Sequence, residues 1–184
     1  RGNIDLDFSV DGTWAKPNPR GSLLLTNAGA SLPSLGIRIE DLSSRWKLRN
    51  EQIQIESLRA RSGPGQVEGT GTIWLKDWEV ERFEGTLKGE KFLALYLPNL
   101  RVQSSPKLQF QGTPKHISVR GEILLPEVHI YEVAAPGVVR ASSDVVVTDR
   151  AAERKPVLSI DIRVRVILGD RIQVKVGGID ARLA

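Results

Sequence analysis

The 184-residue chain contains no cysteine and no methionine, and only 5% of its residues are aromatic. The absence of Cys excludes disulfides and thiolate metal sites, and it is compatible with a periplasmic location without selecting one. Since no Met is present to serve as an initiator, we expect a piece of a longer protein. With so few rings, burial must depend on Leu, Ile and Val, and such an aliphatic lining suits alkyl chains better than flat rings or sugars.

Long apolar runs and blocks of like charge are also missing. No stretch approaches the roughly 20 apolar residues of a membrane-spanning helix, and no signal peptide is present. The net charge of +4 could indicate nucleic acid or an anionic membrane surface. However, basic and acidic residues are interleaved, as in Arg38, Glu40, Arg45, Lys47 and Glu51. This interleaving is typical of a solvated protein face, so we predict no nucleic-acid partner.

The sequence does have a side-chain alternation that restarts after almost every turn. Ile160, Ile162 and Val164 alternate with Asp161 and Arg163, and the pattern returns between Arg171 and Val176. Because successive side chains of a strand point to opposite faces, this period predicts a sheet with one apolar and one charged face.

Turn signals divide the chain into short strands and predict an all-β meander. The one segment whose apolar clustering also fits a helix is 89–97. The predicted reversals are Asn18–Gly21, Asn50–Glu51, Ser62–Gly65, Lys76–Asp77, Pro98–Asn99, Ser104–Pro106, Gly112–Lys115, Ala135–Gly137, Asp149–Arg150, Gly169–Asp170 and Gly177–Gly178.

The apolar face of such a sheet must be covered. A second sheet, closure into a barrel, or lengthwise curling would each cover it. A sandwich would show more large aromatics at its centre, and a membrane barrel would need aromatic girdles that the sequence lacks. We therefore predict an elongated, curled, mostly antiparallel sheet whose interior is a hydrophobic groove, with an ordinary two-layer core left open as the alternative. About a dozen strands would give a trough on the order of 55–60 Å long.

The predicted groove lining consists of aliphatic and aromatic residues at alternating positions. They are Ile37, Ile39, Ile53, Ile55, Val67, Ile73, Leu108, Phe110, Ile117, Val119, Ile123, Ile160, Ile162, Val164, Ile172, Val174 and Val176.

No residue pattern predicts catalysis, a metal site or a cofactor. His116 and His129 are the only histidines, and they lie in separate predicted strands without nearby Cys or paired carboxylates. Glu79 and Glu81 lie on a polar strand face, where nothing indicates the raised pKa that general acid catalysis needs. The Gly63-Pro64-Gly65 sequence lacks the Lys and the following helix of a phosphate-binding loop.

The last third of the chain carries a resemblance to a known family. The segments are Glu122–Ile130, with a proline inside its strand, then Ser142–Val147, Leu158–Gly169 and Ile172–Leu183. Together they resemble the C-terminal region of the TamB family, with Ile179 in place of the usual Leu. Residues 1–121 resemble the looser AsmA-like repeats of the same proteins, so we expect 1–184 to be one continuous segment of a longer chain.

The resemblance implies a curled sheet with a hydrophobic groove, of the β-taco type, as in bridge-like lipid transfer proteins. It also implies a periplasmic segment of a protein anchored in the inner membrane elsewhere in the chain. The implied partners are a BamA-type outer-membrane barrel similar to TamA and a phospholipid or other acyl-chain ligand. The implied roles are lipid transport between the membranes and assistance to outer-membrane protein assembly.

Two functions from different classes remain open at this point. The first is a non-enzymatic groove segment that shields acyl chains. The second is a protein-interaction scaffold whose strand edges pair with a barrel or a client strand, which also predicts end-to-end self-association. A carbohydrate-binding β-solenoid would require rows of outward aromatics that the sequence lacks.

Overall fold

A computed structural model describes residues 2–13, 16–131, 158–176 and 179–183 of the chain. This part of the chain forms eleven β-strands and a 3-10 turn (Pro33–Leu35), and it contains no α-helix, so the predicted all-β class is confirmed. The strands are β1 (Asn3–Thr13), β2 (Lys16–Leu32), β3 (Ile37–Arg49), β4 (Gln52–Ser62), β5 (Gly65–Lys76), β6 (Glu79–Glu90), β7 (Phe92–Leu97), β8 (Leu100–Thr113), β9 (His116–Tyr131), β10 (Ser159–Val176) and β11 (Ile179–Leu183).

All eleven strands belong to one long sheet. Its order is β1-β2-β3-β4-β5-β6-β8-β9-β10-β11, and β7 pairs with β8 away from this path. Every pairing is antiparallel except that of β9 with β10. The predicted elongated and mostly antiparallel sheet is therefore confirmed.

The parallel pairing of β9 with β10 departs from the simple meander that the turn signals predicted. It runs from Ser159 beside His116 to Lys175 beside Tyr131. Parallel neighbours need a crossover connection, and residues 132–157 join these two strands. The reversals predicted at Ala135–Gly137, Asp149–Arg150 and Gly177–Gly178 lie outside the described residues.

Several of the remaining predicted reversals are confirmed, at Asn50–Glu51, at Gly63, at Asp77, at Pro98–Asn99 and at Pro114–Lys115. The turn predicted at Asn18–Gly21 is wrong, because these residues continue β2. Pro19 lies opposite Val10 of β1, whereas the pairing with β3 begins only at Arg20. This stretch of β2 pairs with a neighbouring strand along only one edge, so the missing N–H group of proline removes no hydrogen bond to a second strand.

The turns predicted at Ser104–Pro106 and Gly169–Asp170 are also wrong, since both lie inside strands. Each coincides with a register shift, between Gln103 and Ser105 of β8 and between Leu168 and Arg171 of β10. Bulges accommodate proline and glycine within a sheet, so the sequence signals mark irregular strands here and not reversals.

The segment that fitted either a helix or a strand is strand β7. Leu97 pairs with Leu100 and Leu95 with Val102 of β8. β6 and β7 therefore pair with different parts of the same strand, β8. Lys91, which lies between β6 and β7, has a positive φ of 48°. The chain bends at this point, so β7 leaves the path of β6.

Candidate functional site: the apolar face

The apolar side chains of neighbouring strands lie in common rows. Ile53 and Ile55 of β4 lie opposite Ile73 and Gly71 of β5. Directly opposite residues of an antiparallel pair project from the same face. The sequence alternation of each strand is therefore in phase with that of its neighbour.

The rows continue toward β10. Gly85 of β6 lies opposite Phe110 of β8, which lies opposite Val119 of β9, which in turn lies beside Ile162 of β10. In the other direction Ile55 lies opposite Trp46 of β3. The same phase is therefore kept over most of the sheet.

The rows also reach β1 through Leu23 of β2, which lies opposite both Trp46 and Leu6. We call this continuous surface the apolar face. It runs from β1 to β10 and carries Ile4, Leu6, Phe8, Val10, Leu23, Leu25, Trp46, Leu48, Ile53, Ile55, Leu58, Ala60, Val67, Ile73, Phe83, Leu87, Leu108, Phe110, Ile117, Val119, Ile123, Ile160, Ile162, Val164 and Val166.

The predicted groove residues on β4, β5, β8, β9 and β10 fall on this one face. Ile37 and Ile39 of β3 lie opposite Leu32 and Ala30 of β2. Two register shifts separate these pairs from the rest of the row, but both isoleucines stay on the same face. Ile172 and Val174 lie beside Val128 and Ile130 of β9. The side chain of Val176 lies outside the described part of the structure. That these residues contact a ligand stays a prediction.

Several members of the apolar face were not predicted from the sequence. Leu23 and Leu25 belong to an unbroken Leu23-Leu24-Leu25 run, which hides the period of two. Phe83 and Leu87 of β6 alternate with Gly85, where a missing side chain interrupts the pattern. The continued alternation across these interruptions was the signal that could have found them.

At one end of the strands β7 lies over the apolar face. The Ser62 hydroxyl, which projects from this face beside Gly65, donates a hydrogen bond of 2.9 Å to the Leu93 carbonyl of β7. Gly36, with a φ of 66°, lies so close to the Tyr96 carbonyl that a Cβ would collide with it. We call this region, where β7 covers the start of β3 and the β4–β5 hairpin, the closed end.

The buried apolar residues of the described chain are few and lie toward one end of the strands. They are Ile37, Ala60, Val67, Val128 and Ile172. Away from the closed end, Ile55, Ile73 and Phe110 are only half-buried. On β10 the exposed fraction reaches 65% at Ile162, and on β1 it reaches 70% at Leu6. Much of the apolar face is therefore not covered by any described residue.

Glycines form the middle of the apolar face. Gly71 and Gly85 are cross-strand partners, with Ile55 beyond one and Phe110 beyond the other. A Cβ on Gly85 would meet the Phe110 ring at about 2.5 Å, so the ring lies over this glycine. The absence of a side chain at Gly85 therefore leaves room for the Phe110 ring.

The opposite face carries the charged rows and is solvated. Its ion pairs include Arg59 with Glu68 at 2.9 Å and Lys47 with Glu56 at 2.5 Å. Trp74 lies on this polar face with the Arg82 guanidinium 3.4 Å from its ring centroid. Such a contact is worth about 0.5–1 kcal/mol at an exposed site.

One carboxylate on the polar face is largely buried and lies close to two arginines and a histidine. The Glu127 side chain of β9 is 11% exposed, and its oxygens lie 3.6 Å from Arg101 Nε, 3.4 Å from His129 Nε2 and 3.5 Å from Arg171 Nη1. Arg101 belongs to β8 and Arg171 to β10. Glu127 therefore links three adjacent strands next to the register shift of β10.

The part of the chain that the structure describes contains no group of three or more His, Asp or Glu residues that could hold a metal ion. His129 contacts Glu127 and stacks on Tyr131 with ring centroids 5.9 Å apart. None of the described helical residues forms a segment able to cross a bilayer.

Comparison with known proteins supplies the family. The model of the TamB C-terminal domain matches residues 56–184. Comparisons with curated proteins and with solved structures found no match. Because the matched segment makes up more than two thirds of the 184 residues, this chain belongs to the TamB family.

Proposed function

We propose that this chain is a non-enzymatic segment of a lipid-handling groove, in which the apolar face shields phospholipid acyl chains. The observation that carries the proposal is the unbroken phase of apolar rows across the sheet, together with their incomplete covering. Scattered surface leucines are normal on soluble proteins, but a continuous apolar patch of this extent indicates a binding surface.

The physical benefit to a lipid follows from its hydrocarbon. Each CH₂ group that leaves an apolar environment for water costs about 0.8 kcal/mol, so a 16-carbon chain costs about 12 kcal/mol. A row such as Ile55, Phe110, Val119 and Ile162 offers hydrocarbon contact without hydrogen-bond requirements. A lipid moving along such rows would avoid most of that cost.

The TamB family spans the periplasm, is anchored in the inner membrane, and works with TamA as a transport and assembly module. We place this segment in the periplasm, between an inner-membrane anchor and a TamA-like barrel. The same surface would serve lipid transport toward the outer membrane and assistance to outer-membrane protein assembly, since the apolar side chains of a nascent strand present hydrocarbon as an acyl chain does.

Site-specific photocrosslinking tests the face assignment. Phe110 and Gln111 are neighbours on β8 that project from opposite faces. With a benzophenone amino acid at Phe110, we expect crosslinks to acyl chains of phosphatidylethanolamine vesicles. The same probe at Gln111 is the matched control and should give few. Equal crosslinking from both positions would contradict the proposal.

A second candidate function, strand-edge pairing, is favoured by the charges of two strands. β1 projects Asp5 and Asp7 from its polar face, whereas β10 projects Arg163 and Arg165. Both strands carry aliphatic residues on the apolar face. Among the described residues, β11 pairs with Ile172–Val176 of β10 and with no earlier part of that strand. Pairing β1 of one copy with the first half of β10 of another would match carboxylates with guanidinium groups and join the apolar faces.

Sedimentation of the purified chain tests this second candidate. We expect concentration-dependent association that weakens with added salt, because surface charges are screened within about 10 Å at 0.1 M ionic strength. Replacing Arg163 and Arg165 together by glutamate should reduce association, and replacing Asp5 and Asp7 by lysine in a mixed partner should restore it. A monomer at all concentrations would exclude edge pairing by this chain.

A further inference from the structure

A recess of about 630 Å³ opens on the polar face over β6, β8, β9 and β10. Its lining contains five cationic side chains and one carboxylate, Glu122, among the described residues. The cations are Lys88, Lys107, Arg120, Arg163 and Arg165. Like charges also lie opposite each other outside the recess, at Arg20 and Arg49, but the recess groups five cations.

Register places like charges next to each other in this recess. Lys88 of β6 lies directly opposite Lys107 of β8, and Arg120 of β9 lies beside Arg163 of β10. Like charges in directly opposite positions destabilise a sheet. An anion between two such pairs would relieve this repulsion.

The carboxylates nearby neutralise only part of the site, although Glu122 lies beside Arg165 in register. Glu122 lies 3.5 Å from Lys107, and Asp161 lies 3.4 Å from Arg163. Glu68, opposite Lys88, is paired with Arg59. Within the described residues, Lys88, Arg120 and Arg165 make no ion pair.

The backbone beneath the recess is also unusual. Gly121 lies between Arg120 and Glu122 with a φ of 139°, and a Cβ there would collide with the Lys107 carbonyl. β9 thus approaches β8 more closely than a side chain would permit. Lys107 and Arg120, which lie opposite Glu122 and Gln109, are diagonal neighbours on this face.

We propose that this recess binds a phosphate group. Arg120 and Arg163 provide planar guanidinium donors that match phosphate oxygens in bidentate geometry, and Lys88 and Lys107 provide point charges. Two sources share this chemistry, the headgroup of an anionic phospholipid and a free phosphate. The site lies on the face opposite the apolar rows, so it is independent of acyl-chain binding there.

Titration with inorganic phosphate, followed by NMR of the arginine side-chain N–H groups at constant ionic strength, tests the proposal. We expect saturable shifts at Arg120 and Arg163, and about tenfold weaker binding for Arg120→Gln. Arg59→Gln is the matched control, because it removes one exposed guanidinium from the same face outside the recess. If both variants weaken phosphate binding equally, the binding reflects nonspecific charge and the proposal is overturned.

Thermal unfolding supplies a readout that a structural role would not give. Without phosphate, Arg120→Gln should melt at the same temperature as the wild-type chain or higher, because a like-charge contact is relieved. With phosphate, the melting temperature of the wild-type chain should rise more than that of the variant. An Arg120→Gln variant that is destabilised without phosphate would contradict the like-charge argument.

Vesicle flotation separates the two sources. If the phosphate belongs to a lipid, adding phosphatidic acid to phosphatidylcholine vesicles should increase flotation of the chain, and Arg120→Gln should abolish that increase. Binding of inorganic phosphate without that increase would assign a free phosphate. No saturable shift and no increase in flotation would overturn the site.

Discussion

In strand β10, two isoleucines on the same face differ widely in burial. Ile172 is 6% exposed and belongs to the small core, whereas Ile162 on the same face is 65% exposed. The two isoleucines follow the same alternation and cannot be distinguished by pattern. What differs is whether other strands cover them, so alternation identifies the apolar face of a sheet but does not establish how it is covered.

The closed end and the open face also differ in what they require of the chain. The closed end depends on close backbone approach at Gly36 and on the Ser62–Leu93 hydrogen bond. The open face depends only on register. Substitutions should therefore affect folding at the closed end and ligand binding on the open face.

The largest effect on stability is expected from Gly36→Ala. The positive φ of 66° and the collision with the Tyr96 carbonyl should together cost roughly 3–4 kcal/mol. Urea unfolding measures the loss. Gly29→Ala is the control, because a Cβ there meets its nearest neighbour at an ordinary 3.6 Å. Equal stability of the two variants would show that β7 does not pack as described.

The next largest effect is expected from Ile172→Ala. Removing a buried isoleucine side chain should destabilise the chain by about 2–3 kcal/mol through lost burial and a residual cavity. Ile162→Ala removes the same atoms from the exposed half of β10 and should cost less than about 0.5 kcal/mol. Similar losses for both variants would mean that the two halves of β10 are equally covered in solution.

A smaller effect is expected from Glu127→Gln. The change removes the carboxylate that Arg101, His129 and Arg171 surround, and should cost about 1–3 kcal/mol. Glu122→Gln is the comparison, since that side chain is 41% exposed and its single pair with Lys107 contributes little. Hydrogen exchange should show faster opening of β9 and β10 only in Glu127→Gln. Unchanged exchange would indicate that Glu127 does not link these strands.

The sequence predicted the class of fold because the period of two follows directly from strand geometry. It predicted the phase of the central rows for the same reason, as at Ile53, Ile73 and Phe110. It did not predict that Pro19 and Pro106 lie inside strands. A strand tolerates proline where no neighbouring strand needs its missing N–H group, and the sequence does not show which strands pair at a given position. Such information is tertiary.

The closed end and the Glu127 cluster were not predictable for a related reason. Glu127, Arg101 and Arg171 belong to three strands, and only the register shift of β10 brings Arg171 beside Glu127. Likewise, β7 reaches the start of β3 through the bend at Lys91, a position that no sequence pattern marked.

Mass spectrometry of the purified chain under native conditions tests the central claim most directly. If the open apolar face shields acyl chains, phospholipid should copurify with the wild-type chain and be lost from Ile162→Asp, while the polar-face variant Asp161→Asn retains it. A lipid-free wild-type chain, or equal amounts of lipid on both variants, would contradict the account.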